Sequence, residues 1–504
     1  MLYILDFGSQ YTQLIAKRFR EMGLETEVIS GLTKAKEFKD KKISALVFSG
    51  SPWSVGQLEV DSNWLNVDCP KLALCFGYQW VAKELGGEVA AGNREYGLAT
   101  VEFTDFGKSD PMLNAFKVNG QVWMSHGDSV LKLPTGAQKL LTSKGKVAAY
   151  SLPERKLWAL QFHPEVYHTP AGNEFFTSFA ELTELQKSWS LEGQLENDLA
   201  ALKTKLAKSD LIHCAVSGGV DSTVLAVLLS QVTKVKALYV DHGFQRAYDL
   251  EDLRETFSHF PNIELIEIDA RDRFWADLKA VEDPEQKRKT IGRLFIDTFQ
   301  DWIHKEDCHF LAQGTIYSDV IESAANDLAP SQKIKSHHNV GGLPADLNLE
   351  IVEPLRHYFK DEVRKIGKLL KIQAKSLDRH PFPGPGLAIR CIGALEPERI
   401  ELLAKVDHIF YEELRARNLY HKTWQAFAVL LPIKSVGVMG DERSYESVVA
   451  LRAVSSLEAM TAEVSEIPLN DLKSIASRIV NEVRGVNRVV YDITSKPPGT
   501  IEWE

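Results

Sequence analysis

Along the first third of the chain, short apolar runs alternate with stretches whose apolar residues recur at helical spacing. Leu2 to Phe7, Ala45 to Ser49, Lys71 to Cys75 and Leu157 to Phe162 predict strands, whereas Tyr11 to Met22 and Gly77 to Leu85 predict helices. Such alternation predicts a mostly parallel sheet covered on both faces. A charged, helix-favouring stretch from Leu191 to Lys208 reads as a connector. A second α/β series follows: strand Leu211 to Val216, helix Ser222 to Ser230, and strands Val235 to Asp241, Ile263 to Ile268 and Phe310 to Gln313. The cluster Pro381-Phe382-Pro383-Gly384-Pro385-Gly386 breaks the pattern and predicts a junction. Beyond it lie helices Pro397 to Arg417 and Leu469 to Val483, with β-rich segments Ala426 to Leu431, Ser435 to Met439 and Arg488 to Ile493. The fold class expected is α/β: two doubly wound, mostly parallel-sheet domains, then a smaller α+β domain with three or so strands. The expected bounds are 1–188, 189–381 and 382–504.

Composition narrows the setting. A chain of 504 residues is too long for one hydrophobic core. Its net charge of -10 argues against a broad nucleic-acid surface. The five cysteines (Cys69, Cys75, Cys214, Cys308 and Cys391) form no CxxC pair, which points to a reducing compartment rather than a disulfide framework. No signal peptide and no membrane-length apolar run is evident, so a cytoplasmic α/β protein without membrane partners is expected.

Three constellations carry chemistry. In the first, Cys75 ends a strand and Phe76-Gly77-Tyr78-Gln79 opens a helix pattern. Such an elbow exposes a nucleophile at the sheet edge, where the helix N-terminus favours a thiolate. The following amide, that of Phe76, is placed to donate to an oxyanion. Downstream, His163 and Glu165 in Phe162-His163-Pro164-Glu165 follow another strand and have the composition to complete a Cys-His-Glu triad. Taken singly, Cys75 reads as a buried core cysteine and His163 as a satisfied loop histidine.

With Asp6-Phe7-Gly8-Ser9-Gln10, Ser49-Gly50-Ser51-Pro52 and Ser125-His126-Gly127-Asp128, these strings resemble the class I glutamine amidotransferases across roughly residues 1 to 188. The resemblance implies Cys75 as nucleophile, His163 as general base and then acid, and Glu165 as its orienter. It also implies a second oxyanion amide in the turn of Gly50 and Ser51. Two positions depart from that family: Ala73 stands where Gly is usual before the cysteine, and Ser51 stands in a usual Gly-Gly-Pro turn, where its β-carbon disfavours positive φ.

In the second constellation, Val216-Ser217-Gly218-Gly219-Val220-Asp221-Ser222-Thr223 follows a strand and opens a helix. The glycines let successive amides curl into an anion nest at a positive helix end. Ser217, Ser222 and Thr223 add hydroxyls, and Asp221 is a candidate ligand for Mg²⁺. No Gly-Lys-Ser/Thr follows, so this is not a Walker A loop. The string resembles the PP-loop of the ATP pyrophosphatases, which implies ATP bound by residues 217 to 223 and cleaved between its α and β phosphates. The next strand ends in Tyr239-Val240-Asp241-His242-Gly243, where such enzymes hold adenosine and often carry Asn in place of His242. The plain alternative for His242 is a solvated loop residue.

The third constellation comprises the basic run Lys287 to Arg293 and the strings Gln313 to Ser323 and Lys335 to Gly342. A solvated helix face is the plain reading of the basic run. With His380 to Gly386, Gly437 to Asp441 and the tail Ser495 to Glu504, they give the chain an end-to-end resemblance to the glutamine-hydrolysing GMP synthetases. That resemblance implies glutamine, ATP and xanthosine monophosphate (XMP) as substrates, a C-terminal dimerisation domain and a homodimer. Carried over by motif, it implies XMP contacts from Arg288, Gln425, Asp441, Lys496 and Glu502. Rigid Pro497-Pro498 and the aromatic Trp503 predict a docked tail. The alternatives are a tRNA-modifying PP-loop enzyme, a glutamine-dependent NAD synthetase acting on nicotinate adenine dinucleotide, and a non-catalytic relative.

Overall fold

The structure, a computed structural model, describes the chain except residues 10, 118–119, 184, 186, 208, 247, 307–308, 318, 320–348, 440–441, 457–461 and 497. Asp441, Cys308, part of the string 313–323 and the whole of 335–342 therefore lie outside the described residues. The described chain divides into two compact units, one built on Met1–Gln194 and the other on the residues from Leu195 onward.

The first unit contains strands β1 (Leu2–Asp6), β2 (Thr26–Ser30), β3 (Ala45–Phe48), β4 (Lys71–Leu74), β5 (Glu88–Thr100), β6 (Glu102–Phe103), β7 (Gln121–Lys132), β8 (Gln138–Ser143), β9 (Lys146–Leu152) and β10 (Leu157–Leu160). Its helices are α1 (Thr12–Glu21), α2 (Phe76–Glu84), α3 (Asp105–Ser109) and α4 (Gly172–Leu182). The main sheet runs β2-β1-β3-β4-β10-β9-β8-β6. It is parallel from β2 to β10 and antiparallel beyond. Strands β1, β3 and β4 are almost wholly buried, as continuous apolar runs in a doubly covered parallel sheet require. Apolar clusters fill both faces, one around Phe19, Phe175 and Phe176, the other around Phe48, Trp64 and Phe76. The periodicity did not reveal β2, the antiparallel pair β5 and β7 or the antiparallel margin. β2 is half exposed and β7 alternates buried with half-buried positions, so their apolar signal is diluted.

Helix α5 (Leu191–Lys205) bridges to the second unit, which opens with β11 (Leu211–Val216), α6 (Val220–Leu229), β12 (Lys234–Asp241), α7 (Asp249–Ser258) and β13 (Ile263–Asp269). Helices α8 (Arg271–Leu278) and α9 (Pro284–Ile303), strands β14 (Phe310–Ala312) and β15 (Glu350–Val352), and helices α10 (Lys360–Leu369) and α11 (Ala374–Leu377) complete the layer. The sheet β13-β12-β11-β14-β15 is parallel throughout.

Helix α12 (Pro397–Ala416) leads to strands β16 (Gln425–Met439), β17 (Glu442–Ser455) and β18 (Glu463–Val464), helix α13 (Leu469–Glu482) and strand β19 (Val486–Asp492). The two β segments expected at 426–431 and 435–439 are one long strand, with an irregularity between Leu430 and Lys434. Its partner β17 was not expected, and with β18 and β19 it makes a four-stranded sheet. One apolar cluster joins Leu238, Phe244 and Phe274 to Leu403, Phe410 and Ile475, so the two layers of this unit share a core.

The tail is docked. Arg452, almost fully buried, donates to the carbonyls of Ile501 (2.8 Å), Thr500 (2.8 Å) and Thr494 (3.0 Å), and pairs with Asp492 at 2.6 Å. Trp503 Nε1 donates to Asp492 at 2.9 Å.

Candidate functional site

Strand β4 delivers Cys75 to the edge of the first sheet, and the chain turns there into α2. Cys75 has φ 50° and ψ −98°, a conformation that L-residues seldom hold. It is held by its amide, which donates to the Leu160 carbonyl at 2.8 Å, and by the next turn, where the Gly77 amide donates to Ser49 O at 3.0 Å. Gly77 is required: a β-carbon there would sit 2.5 Å from Phe48 O. The Cys75 thiol reaches the Ser125 carbonyl at 3.5 Å. Phe76 is the first residue of α2, a position whose amide has no intrahelical acceptor.

His163 follows β10. Its Nδ1 lies 2.7 Å from Glu165 Oε1, and both side chains are buried. The ring is pinned by the His163 amide to Trp123 O at 3.0 Å, by Thr169 Oγ1 to His163 O at 2.7 Å, and by the edge of Tyr11 at 4.8 Å. Burial by itself pushes His163 down. The Glu165 carboxylate, then the Cys75 sulfur, outweigh it and hold the imidazole well above its ordinary value. The structure thus brings Cys75, His163 and Glu165 into one buried cluster.

Gly50 lies against the same cluster, where a β-carbon would meet Ser9 Oγ at 3.1 Å and His163 Cε1 at 3.4 Å. Neither Gly50 nor Ser51 takes a positive φ, so serine stands in this turn without backbone strain. Ser51 Oγ instead ties the turn to β1 through Phe7 O at 2.8 Å. Ala73 is wholly buried in β4.

The glycine turn of the second unit joins β11 to α6. Gly218 has φ +81°, and Gly219 caps the helix in an extended conformation. Ser222 Oγ and Thr223 Oγ1 donate to Gly219 O at 3.1 and 2.9 Å, and Ser222 Oγ accepts from the Ser217 amide at 3.2 Å. Val220, Asp221 and Ser222 form the first turn of α6, where amides lack helical partners. Gly314 keeps this end uncrowded, since a β-carbon there would stand 3.2 Å from the Ser222 amide nitrogen.

Two basic residues outside the sequence motifs complete this turn. Lys360, at the start of α10, pairs with Asp221 Oδ2, and Arg379 donates to Gly218 O at 2.5 Å. Arg379 directly precedes the His380-Pro381 string, and that adjacency was the one available signal. Asp221 Oδ1 is buried without a hydrogen-bond partner among the described residues. His242 is not a solvated loop residue. It is buried, 5.4 Å from the ring of Phe274 and 5.1 Å from that of Phe295, and burial pushes its pKa down to about 3.

Gln425 and Glu502 meet directly: Gln425 Nε2 donates to Glu502 Oε1 at 2.8 Å. Glu502 also accepts two bonds from Arg390, which is sandwiched between Phe382 (4.9 Å) and Phe427 (4.1 Å). Arg288 hydrogen-bonds the Glu504 carbonyl oxygen. Its neighbour Lys287 is no part of a solvated face: fully buried, it donates to Glu504 Oε2 at 2.6 Å and Cys391 O at 2.8 Å. Lys496 pairs through its backbone with Ala462. Sequence reasoning missed Arg390 and Lys287 as partners of the tail.

No group of three or more His, Cys, Asp or Glu side chains among the described residues is arranged to hold a metal ion. No helix among them is long and apolar enough to cross a membrane. The described cysteines are all free.

Two protein families match parts of the chain. The class-I glutamine amidotransferase family matches residues 3–182, and the GMP synthase C terminal domain matches residues 412–503. The GMP synthase (glutamine-hydrolyzing) of Thermotoga maritima is 47% identical over 510 residues, covering 100% of each chain. That of Bartonella henselae is 47% identical over 513 residues, covering 99% of this chain and 98% of its own. That of Bradyrhizobium diazoefficiens is 46% identical over 513 residues, covering 100% of this chain and 93% of its own.

Proposed function

The chain belongs to the glutamine-hydrolysing GMP synthases, and from that premise we propose how its residues divide the work of a carbon–nitrogen ligase. It makes GMP from XMP, ATP and glutamine. The Cys75 sulfur attacks the side-chain amide of glutamine. The amides of Phe76 and of the Gly50-Ser51 turn receive the oxyanion. His163, held cationic by Glu165, gives its proton to the departing ammonia, and water then hydrolyses the thioester to glutamate.

In the second unit, residues 217 to 223 hold the ATP phosphates. The oxygen on C2 of XMP attacks the α-phosphorus and pyrophosphate leaves. Ammonia adds at C2 and AMP departs, because AMP is a far better leaving group than hydroxide. Lys360 and Arg379 support this reading, since each stands beside the glycine turn and can turn from its carboxylate partner, Asp221 or Asp252, to a triphosphate. Asp221 suits Mg²⁺, for its buried Oδ1 is a hard oxygen donor without a protein partner. A bound Mg²⁺ would neutralise phosphate charge there. Arg288, Gln425, Lys496, Glu502 and Asp441 remain the proposed XMP contacts.

Three domains, 1–188, 189–381 and 382–504, carry these roles. The exposed apolar residues Val436, Val438 and Tyr445 on β16 and β17 support a homodimer through the last of them. The free cysteines and the net charge of -10 support a cytoplasmic enzyme without nucleic-acid partners.

The observation that carries the glutaminase reading is a strained Cys75 at a strand–helix elbow whose sulfur acts electrostatically on a buried His163–Glu165 pair. Cys75→Ala should abolish glutamine-driven GMP formation and leave ammonia-driven formation intact. Equal loss of both in a folded variant overturns the division of labour.

A further inference from the structure

Beside the elbow, in the first unit, lies a small cavity with room for about one molecule of water or ammonia size. Three of its lining side chains, His126, Ser143 and Gln161, are more than nine-tenths buried. Each presents a polar atom with no hydrogen-bond partner among the described residues: His126 Nε2, Ser143 Oγ and Gln161 Nε2. Buried polar atoms are rarely left unmatched, so three around one cavity call for an occupant.

Their chemistry specifies it. His126 Nδ1 lies 2.8 Å from the Asp128 carbonyl, which can only accept; Nδ1 therefore carries the proton and Nε2 presents a lone pair. Gln161 Oε1 accepts from Gln79 Nε2 at 3.2 Å, so Gln161 turns its amide N–H groups toward the cavity. Ser143 serves in either sense. The occupant must donate to His126 and accept from Gln161. Ammonium fails, because it has no lone pair for Gln161. Glu95 and Lys146 both line the cavity, the Glu95 carboxylate 3.8 Å from His126 Nε2, so their charges offset and the missing lone pair alone excludes ammonium. Burial pushes the His126 imidazole below its ordinary value, which keeps Nε2 unprotonated.

Water and neutral ammonia both meet this pattern. The location favours ammonia: Gln161 is bonded to Gln79 on the helix that Cys75 opens, and His126 follows Ser125, whose carbonyl touches the Cys75 sulfur. We propose that the His126–Ser143–Gln161 cavity holds the neutral ammonia released from glutamine, keeping it unprotonated until it is passed on. This rests on the glutaminase reading of Cys75.

The test uses the full-length enzyme with ¹⁵N-amide glutamine, ATP, XMP and excess unlabelled ammonium, reading the ¹⁵N content of GMP by mass spectrometry. Ser143→Ala removes one partner and Ser143→Val fills the space. In both, the ratio of glutamine-derived to bulk nitrogen in GMP should fall about fivefold, the worth of one hydrogen bond. Glutamate formation and ammonia-driven synthesis should stay at wild-type levels. An unchanged ratio, or a fall matched by lost glutamate formation, overturns the proposal. Failure of the underlying reading would show separately, as wild-type enzyme that forms no labelled GMP. Neutron diffraction on wild-type crystals equilibrated with deuterated ammonia decides between the occupants without any variant. Three deuterons on the bound atom support ammonia, and a persistent water overturns it.

Discussion

Arg390 and Glu502 are joined by two hydrogen bonds, Nε to Oε2 at 3.1 Å and Nη2 to Oε1 at 2.8 Å, across 112 residues of chain. The guanidinium is fully buried, and among the described residues its charge is balanced by this carboxylate and, at 3.9 Å, by Asp407. Removing the arginine leaves Glu502 short of a cation, while Asp407 keeps Arg246 at 3.2 Å. Arg390→Leu should cost about 3–5 kcal/mol, as breaking buried pairs does. The midpoint of urea denaturation, followed by a probe in the second unit, measures it. Glu502→Gln keeps an acceptor for Arg390 and should cost less.

The raised His163 value makes a pH prediction. A histidine whose folded pKa exceeds its unfolded 6.5 contributes stability that is fully present below 6.5 and is lost as pH rises through the folded value. Glu165→Gln removes the largest raising cause. The urea midpoint should then decline less between neutral and alkaline pH than in the wild type. The alkaline limb of glutamine hydrolysis should shift to lower pH.

His242 works in the opposite sense. Its folded value of about 3 lies below the ordinary 6.5, so the unfolded chain takes up the proton first. Stability is therefore lost as pH falls from 6.5 toward 3, at about 1.4 kcal/mol per pH unit for one proton. His242→Asn has nothing to titrate, and its acid-denaturation profile should be flatter over that window.

A β-carbon at Gly50 would stand 3.1 Å from Ser9 Oγ and 3.4 Å from His163 Cε1, so the Ser9 hydroxyl must give way by a few tenths of an ångström. Gly50→Ala should crowd the turn beside the imidazole and slow glutamine hydrolysis about tenfold. Ammonia-driven GMP formation should be untouched. Parallel assays with glutamine and with ammonium salts check this.

The elbow at Cys75 and the glycine turn at 217–223 were legible in the chain because each is local: a strand, a few residues of turn chemistry and a helix start, all adjacent in sequence. The parallel sheets were legible for a related reason, since strands buried on both faces leave unbroken apolar runs. Half-exposed β2 left no such trace, whereas β17 does carry a buried run, Val448 to Val454, that went unread. Burial was invisible as well, so Lys287 read as solvated and His242 as a loop residue.

Only the tertiary structure decided the partners. Lys360 meets Asp221 across 139 residues, and Lys287 meets Glu504 across 217. Pairings at that distance follow from how sheets and helices stack, and nothing in the spacing of the residues encodes them. The sequence by itself determined which groups could do the chemistry. Packing decided which charges face each other out of water, and so which of those groups are tuned.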